Sequence, residues 1–293
     1  MHPAPSLIAF STLSGLGLGL LAFLGLGLAP TAGWTGFVFF ALAFGMTGAG
    51  LLSSLLHLGH PERAPKAFSQ WRTSWLSREA WVAMAALGVM GIYALLALLG
   101  LRISPLGWLG AALCLAVVFC TAMIYAQLKT VPRWHGPVTP LLFVGYAVTG
   151  GALLSGRVWP AALLLGIMAV AQFLAWRRGD RALSDSGTTI GTATGLGPRG
   201  RVRLFEPPHS GGNYLTKEMV FRVARKHAQK LRSLVLVFAF AVPVVALLMP
   251  FGHLSAGIAV LSHVLGMLGQ RWLFFAEAEH VVGLYYGKGA NAA

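Results

Sequence analysis

Eight stretches of the chain are apolar over nearly the length a helix needs to cross a hydrocarbon layer, about 20 residues, and polar breaks separate them. They predict membrane-crossing helices near Pro5–Ala29, Trp34–Leu58, Glu79–Leu101, Pro105–Leu128, Val138–Gly156, Val158–Trp176, Ser233–Met249 and His253–Ala276. The fifth and sixth runs are parted only by Arg157. Gly15, Gly17, Gly19, Gly25 and Gly27 in the first run, and Gly45, Gly48 and Gly50 in the second, read as faces where backbones approach closely. Lipid gives helices no hydrophobic reason to associate, so small residues mark their contacts. Trp34, Trp75, Trp81, Trp108, Trp134, Trp159 and Trp176 fall near run ends, as interfacial anchors do. The fold class is an all-α integral membrane protein with eight transmembrane helices in one polytopic domain.

Composition agrees. Of 293 residues, 56% are hydrophobic and only 10% are charged, whereas a soluble domain carries about 25% charged residues. The net charge of +14 does not by itself call for nucleic acid; its placement matters more. Every Lys and Arg except Arg102 and Arg157 lies in the second, fourth and sixth loops or at the C-terminal end, where Arg271 in the last turns of the eighth run is counted with Lys288. By the positive-inside rule, both termini face the cytoplasm of a bacterial inner membrane. Cys114 and Cys120 sit inside an apolar run and read as packing residues. The first run is too long for the apolar core of a cleavable signal, and no Lys or Arg precedes it.

The sixth loop, 177–232, is long and basic. Its part from Ser184 to Gly212 is rich in Gly, Thr, Ser and Pro and is expected to be irregular. From Thr216 to Arg232 a basic helix is expected, capped by Thr216 and carrying Arg222, Arg225, Lys226 and Lys230. Two uses fit it equally: lying on anionic lipid headgroups, or docking a soluble partner.

Only eight carboxylates occur. His57 ends the second run and Glu79 begins the third, so both stand at one membrane edge, with Gly59 and Arg63 between them in His57-Leu58-Gly59-His60-Pro61-Glu62-Arg63-Ala64. A histidine that titrates near neutrality and a carboxyl at an apolar boundary suit proton exchange with a redox-active lipid headgroup. Each also has a plainer role, His57 capping last-turn carbonyls and Glu79 complementing a helix N-terminus. Arg271, Glu277 and His280 approach the same edge from the last run, as a snorkelling helix end or as a second layer and proton path. His263 is the one mid-membrane histidine and has no second axial partner at its depth, so an intrinsic haem is not expected. His57-x-x-His60 lacks further ligands for a metal site.

The His57-Leu58-Gly59-x-Pro61-x-Arg63-Ala64 run, its spacing to Ser77-x-Glu79, and Tyr125-x-x-x-Lys129-Thr130-Val131-Pro132 resemble the membrane anchor subunit of dimethyl sulfoxide reductase and its relatives. The resemblance implies two packed four-helix bundles. It also implies a four-cluster iron–sulfur partner, a molybdopterin catalytic partner, and exchange of electrons with ubiquinone or menaquinone without haem. His57, Gly59, Arg63 and Glu79 match positions implicated in the family's quinone site. The long basic sixth loop is more similar to the membrane subunit of quinone-linked sulfite dehydrogenases, so electron flow from sulfite into quinone is favoured. Quinol oxidation for a sulfoxide or N-oxide reductase is the alternative, and a secondary transporter a more distant one.

Overall fold

The computed structural model describes residues 3–206, 215, 219, 227–250 and 252–286, with the side chain of His57 left outside. The described residues contain helices and no strand. Eight principal helices follow in order: α1 (Pro5–Gly25), α2 (Gly33–Ser53), α3 (Trp75–Leu98), α4 (Ser104–Ala126), α5 (Val138–Leu154), α6 (Val158–Asp185), α7 (Ala228–Leu248) and α8 (His253–Ala276). Seven are long and apolar enough to cross a membrane; α5, with 17 residues, is shorter. Proline at the first positions of α1 and α4 starts each helix with φ already set.

Several boundaries differ from the sequence expectation, and α1 and α2 end about a turn early, at Gly25 and Ser53. Helix α3 begins one turn early, at Trp75. Helix α6 continues past Trp176 to Asp185, so its 28 residues span about 42 Å against a hydrocarbon thickness of about 30 Å. Its last turns therefore project beyond the apolar layer and carry Arg177, Arg178, Asp180 and Arg181. The expected Thr216–Arg232 helix is seen only from Ala228, where it runs straight into α7. Arg222, Arg225 and Lys226 lie outside the described residues, and Lys230 is exposed on the first turn of α7. The segment expected to be irregular contains a short helix, Ile190–Thr194, closed by a reciprocal Thr189–Thr192 capping box.

Packing divides the helices into two groups of four joined through α1 and through the packing of α4 on α5. Helix α1 packs on α2 and α4, α3 packs on α4, α5 on α6, and α7 on α6 and α8, while α1 also meets α5 and α8. Two glycine pairs explain how α1 can serve both groups. A Cβ on Gly19 would strike the Ala147 carbonyl and one on Gly151 the Gly19 carbonyl; Gly25 and Gly107 exclude each other's side chains in the same way. Leu95, Leu163, Val170, Leu254 and Leu261 face outward, as helices solvated by lipid allow.

The interruption in α7 has a local cause. Pro243 has no N–H for the carbonyls one turn back, and the helix widens into a π-turn over Leu236–Ala241. Ser262 Oγ donates to Phe238 O at 2.7 Å and His263 Nδ1 to Ala239 O at 2.7 Å, so α8 supplies the missing donors. His263 is thus a hydrogen-bonded core residue.

Loops gather at two ends. Ser53 Oγ donates to Ser6 O, placing the start of α1 beside the end of α2. Val281 N donates to Thr130 O, joining the segment after α8 to the α4–α5 loop. Residues 54–74, 127–137, 177–206 and 277–286 lie here and make this the basic end of the molecule. At the opposite end Arg157 Nε donates to Leu28 O at 2.6 Å.

Candidate functional site

Between α2 and α3 the chain makes two 3-10 segments, Ser54–His57 and Pro61–Phe68, the second shaped by Pro61 and Pro65. Gln70 N donates to Ser77 Oγ, and Arg78 Nε and Nη2 reach Trp71 O and Arg72 O at 3.0 and 2.7 Å. Trp81 Nε1 donates to Phe68 O at 3.0 Å. These bonds clamp the loop onto the first turns of α3 and leave a groove of about 370 Å³ lined by Phe68, Trp71, Arg78, Trp81 and Val82.

Glu79 starts on this same turn of α3 but faces inward. It is 6% exposed and hydrogen-bonded to Thr121 Oγ1 of α4. Thr121 Oγ1 also lies 3.0 Å from Val117 O. A threonine hydroxyl has one hydrogen. When it is given to Val117 O, the Glu79 carboxyl must donate and so carries a proton; when it is given to Glu79, the carboxylate accepts. The contact therefore accommodates Glu79 with or without a proton, since a neutral carboxyl can also accept through its carbonyl oxygen.

The other candidates are spread more widely. Arg63 is exposed and 4.0 Å from Glu62 Oε1, and His60 Nδ1 is 2.9 Å from the same oxygen. Gly59 is exposed, with open space where a Cβ would stand. His57 closes its 3-10 turn, and its side chain lies outside the described part. The fold does not pair Arg63 with Glu79: Glu79 meets α4, while Arg63 meets its own loop.

At the basic end of α8, Glu277 belongs to a ring of four charges. Its carboxylate accepts from Arg133 Nη1 at 3.2 Å and Arg232 Nε at 2.6 Å. Asp180 accepts from Arg133 Nη2 at 2.6 Å and Arg232 Nη2 at 2.5 Å. The ring ties the α4–α5 loop, α6, α7 and α8 together. His280 Nδ1 accepts from Val282 N at 3.0 Å, and burial holds its imidazole below the ordinary histidine range. Arg271 is wholly buried, 3.8 Å over the Phe143 ring.

Residues 2–173 match the family described as DMSO reductase anchor subunit (DmsC). The sulfite dehydrogenase C-subunit of Allochromatium vinosum is 32% identical, over 98% of this chain and 99% of that protein. The chain belongs to the DMSO reductase anchor subunit family. It is an integral membrane protein and an anchor subunit of an oxidoreductase complex. Two Escherichia coli members, anaerobic dimethyl sulfoxide reductase chains YnfH and C, are 31% and 36% identical, over 40% and 37% of this chain and 42% and 39% of their own lengths. The matched family span holds the 57–79 segment and Thr121 but ends before Asp180, Arg232 and Arg271.

Sequence reading missed Thr121, the aromatic groove and the charge ring. Thr121 had one signal, a hydroxyl in an otherwise apolar turn just before Tyr125. The ring had none, because its four members are brought together from four separate parts of the chain.

Proposed function

We propose that this anchor subunit performs the quinone reaction of a molybdopterin oxidoreductase, passing electrons between a four-cluster iron–sulfur subunit and the quinone pool without a haem of its own. All eight helices then cross the bacterial inner membrane, α5 included, with the basic end and both termini in the cytoplasm. The soluble subunits dock there, on the exposed cations that include Lys230, with Arg222, Arg225 and Lys226 as further contacts.

The observation that carries the reading is Glu79. A buried carboxyl hydrogen-bonded to a threonine stands at the membrane edge, on the same first turns of α3 as a groove that aromatic side chains line. A carboxyl in such surroundings is costly and marks function. The groove's volume lies within the ordinary range of small-molecule sites, and its apolar lining suits a headgroup that arrives through lipid. Bound quinone supplies a two-electron, two-proton couple. Within this chain, Glu79 gives or takes the proton, Thr121 sets its orientation, and His57, Gly59 and Arg63 form the loop side of the site. Trp71 and Trp81 offer apolar ring faces for the headgroup to lie against.

Sulfite oxidation with reduction of quinone is the favoured direction. Similarity to a sulfite dehydrogenase subunit runs the length of both chains, whereas similarity to the dimethyl sulfoxide reductase chains covers about two-fifths. The test is Glu79→Gln in the purified complex, with electron transfer to quinone measured beside transfer to a soluble artificial acceptor. Loss of the first with retention of the second is expected; equal rates in variant and wild type would remove Glu79 from the reaction.

A further inference from the structure

Facing buried turns of α5, α6 and α8 enclose polar groups that no atom of the described residues satisfies. Arg271 Nε and Nη1 have no hydrogen-bond partner there, and its guanidinium lies 3.8 Å and 5.4 Å from the Phe143 and Tyr146 ring centres. Its neighbour Gln270 donates Nε2 to Gln172 Oε1 at 3.1 Å, and the same oxygen accepts the Tyr146 hydroxyl at 2.5 Å. Gln270 Oε1 is left unpartnered among the described residues. Two donors and one acceptor are thus orphaned on adjacent residues of α8.

Leaving such groups dry is expensive, and proteins meet them with internal water where space and polar partners exist. Space exists. A cavity of about 40 Å³, lined by Thr139, Gln172, Gln270, Arg133 and Glu277 among others, reaches from Gln172 and Gln270 to the charge ring at the basic end. Next to Gln270 in sequence and outside the cavity lining, Arg271 packs on the Phe143 ring, as Tyr125 does from α4. Tyr125 stands one turn of α4 from Thr121, which holds Glu79.

We propose that this cluster holds a short file of internal water that carries protons between the basic-end cavity and Glu79. Gln172, Gln270 and Arg271 hold the water, and Tyr125 links it to Thr121 and Glu79. The proposal rests on the quinone reading above. Reduction of one quinone to quinol consumes two electrons, delivered by an iron–sulfur cluster of the partner subunit, and two protons. Each proton that leaves Glu79 is replaced by one entering the file from bulk water at the basic end, so no residue changes its net charge over a cycle. Arg271 stays protonated and acts by orienting water. The residues are positioning residues rather than catalytic ones.

The test uses the whole complex in liposomes, with Gln270→Leu and Tyr125→Phe. Transfer to a soluble artificial acceptor bypasses the membrane subunit and normalises for assembly. Each variant is expected to lower quinone-coupled turnover by about a hundredfold, the low end of what positioned proton transfer contributes. KM for quinone should change by less than about twofold, the solvent deuterium isotope effect should rise, and azide as a small proton carrier should restore part of the rate. A proportional fall in both acceptor assays without azide rescue would overturn the relay. Loss in Glu79→Gln with full turnover in both relay variants would overturn the relay and leave the quinone reading standing. Full turnover in Glu79→Gln would overturn both. Where a variant does not assemble, a high-resolution map of the wild-type complex decides: water density between Arg271 and Gln270 supports the file, and a dry cavity overturns it.

Discussion

Glu277 and Asp180 make nearly the same contacts with the same two arginines, yet their removal should have unequal effects. The Glu277 side chain is 5% exposed and that of Asp180 is 44% exposed; Arg133 and Arg232 are 16% and 13% exposed. Glu277→Ala takes the ring from neutral to a net charge of +1 and strands two poorly hydrated guanidiniums on one half-exposed aspartate. Removing one partner of a buried pair costs about 3–5 kcal/mol, and the surviving Asp180 keeps this case near the lower figure. Asp180→Ala leaves the same net charge of +1, but the charge it removes is one that water already screens, and the buried Glu277 still receives both arginines. Its cost should be about 1 kcal/mol or less. The assay is equilibrium unfolding in mixed micelles. Adding Arg133→Gln to Glu277→Ala should recover part of the loss, because the excess charge is gone. Equal destabilisation by the two truncations, or none by Glu277→Ala, would refute the claim that burial sets the worth of these bonds.

Three further outcomes follow from particular contacts. The fold uses His280 in its neutral form, as the acceptor for Val282 N, and burial depresses its proton affinity; the 277–286 segment should therefore loosen as pH falls through the ordinary histidine value near about 6.5. Limited proteolysis of this segment at acidic and neutral pH measures it, and His280→Asn, which keeps a short acceptor, should flatten the dependence. His263→Leu should cost about 1–3 kcal/mol because Ala239 O loses its donor, whereas adding Pro243→Ala restores a backbone N–H and should recover much of it; no recovery would mean that Pro243 is not the cause. A reporter fused after Tyr286 should behave as cytoplasmic, with fluorescent protein bright and alkaline phosphatase inactive, and the reverse pattern would invert the topology.

Much of the fold is legible in the chain because lipid imposes a simple rule. An apolar run of span length has nowhere to be but in the bilayer as a helix, and glycines such as Gly19 and Gly25 announce close packing. What escapes reading depends on partners from distant segments. Nothing local says that Arg133, Asp180, Arg232 and Glu277 meet, or that Thr121 receives Glu79. The end of α6 is hidden for a related reason: loss of hydrophobicity after Trp176 marks where lipid ends, not where the helix does. Of the proposed site, Glu79 is readable as a lone carboxyl beside an apolar run, and its inward orientation is not. The π-turn in α7 is hidden as well, although Pro243 is visible within its apolar run.

The central claim is that quinone reacts beside the first turns of α3. A photoreactive quinone analogue, irradiated with the membrane-bound complex and mapped by peptide mass, tests it most directly. The account predicts adducts between Phe68 and Val82 that excess natural quinone suppresses. Adducts confined to the separate apolar groove formed by Leu231, Leu234, Phe238 and Leu265, or labelling that quinone does not compete, would contradict it.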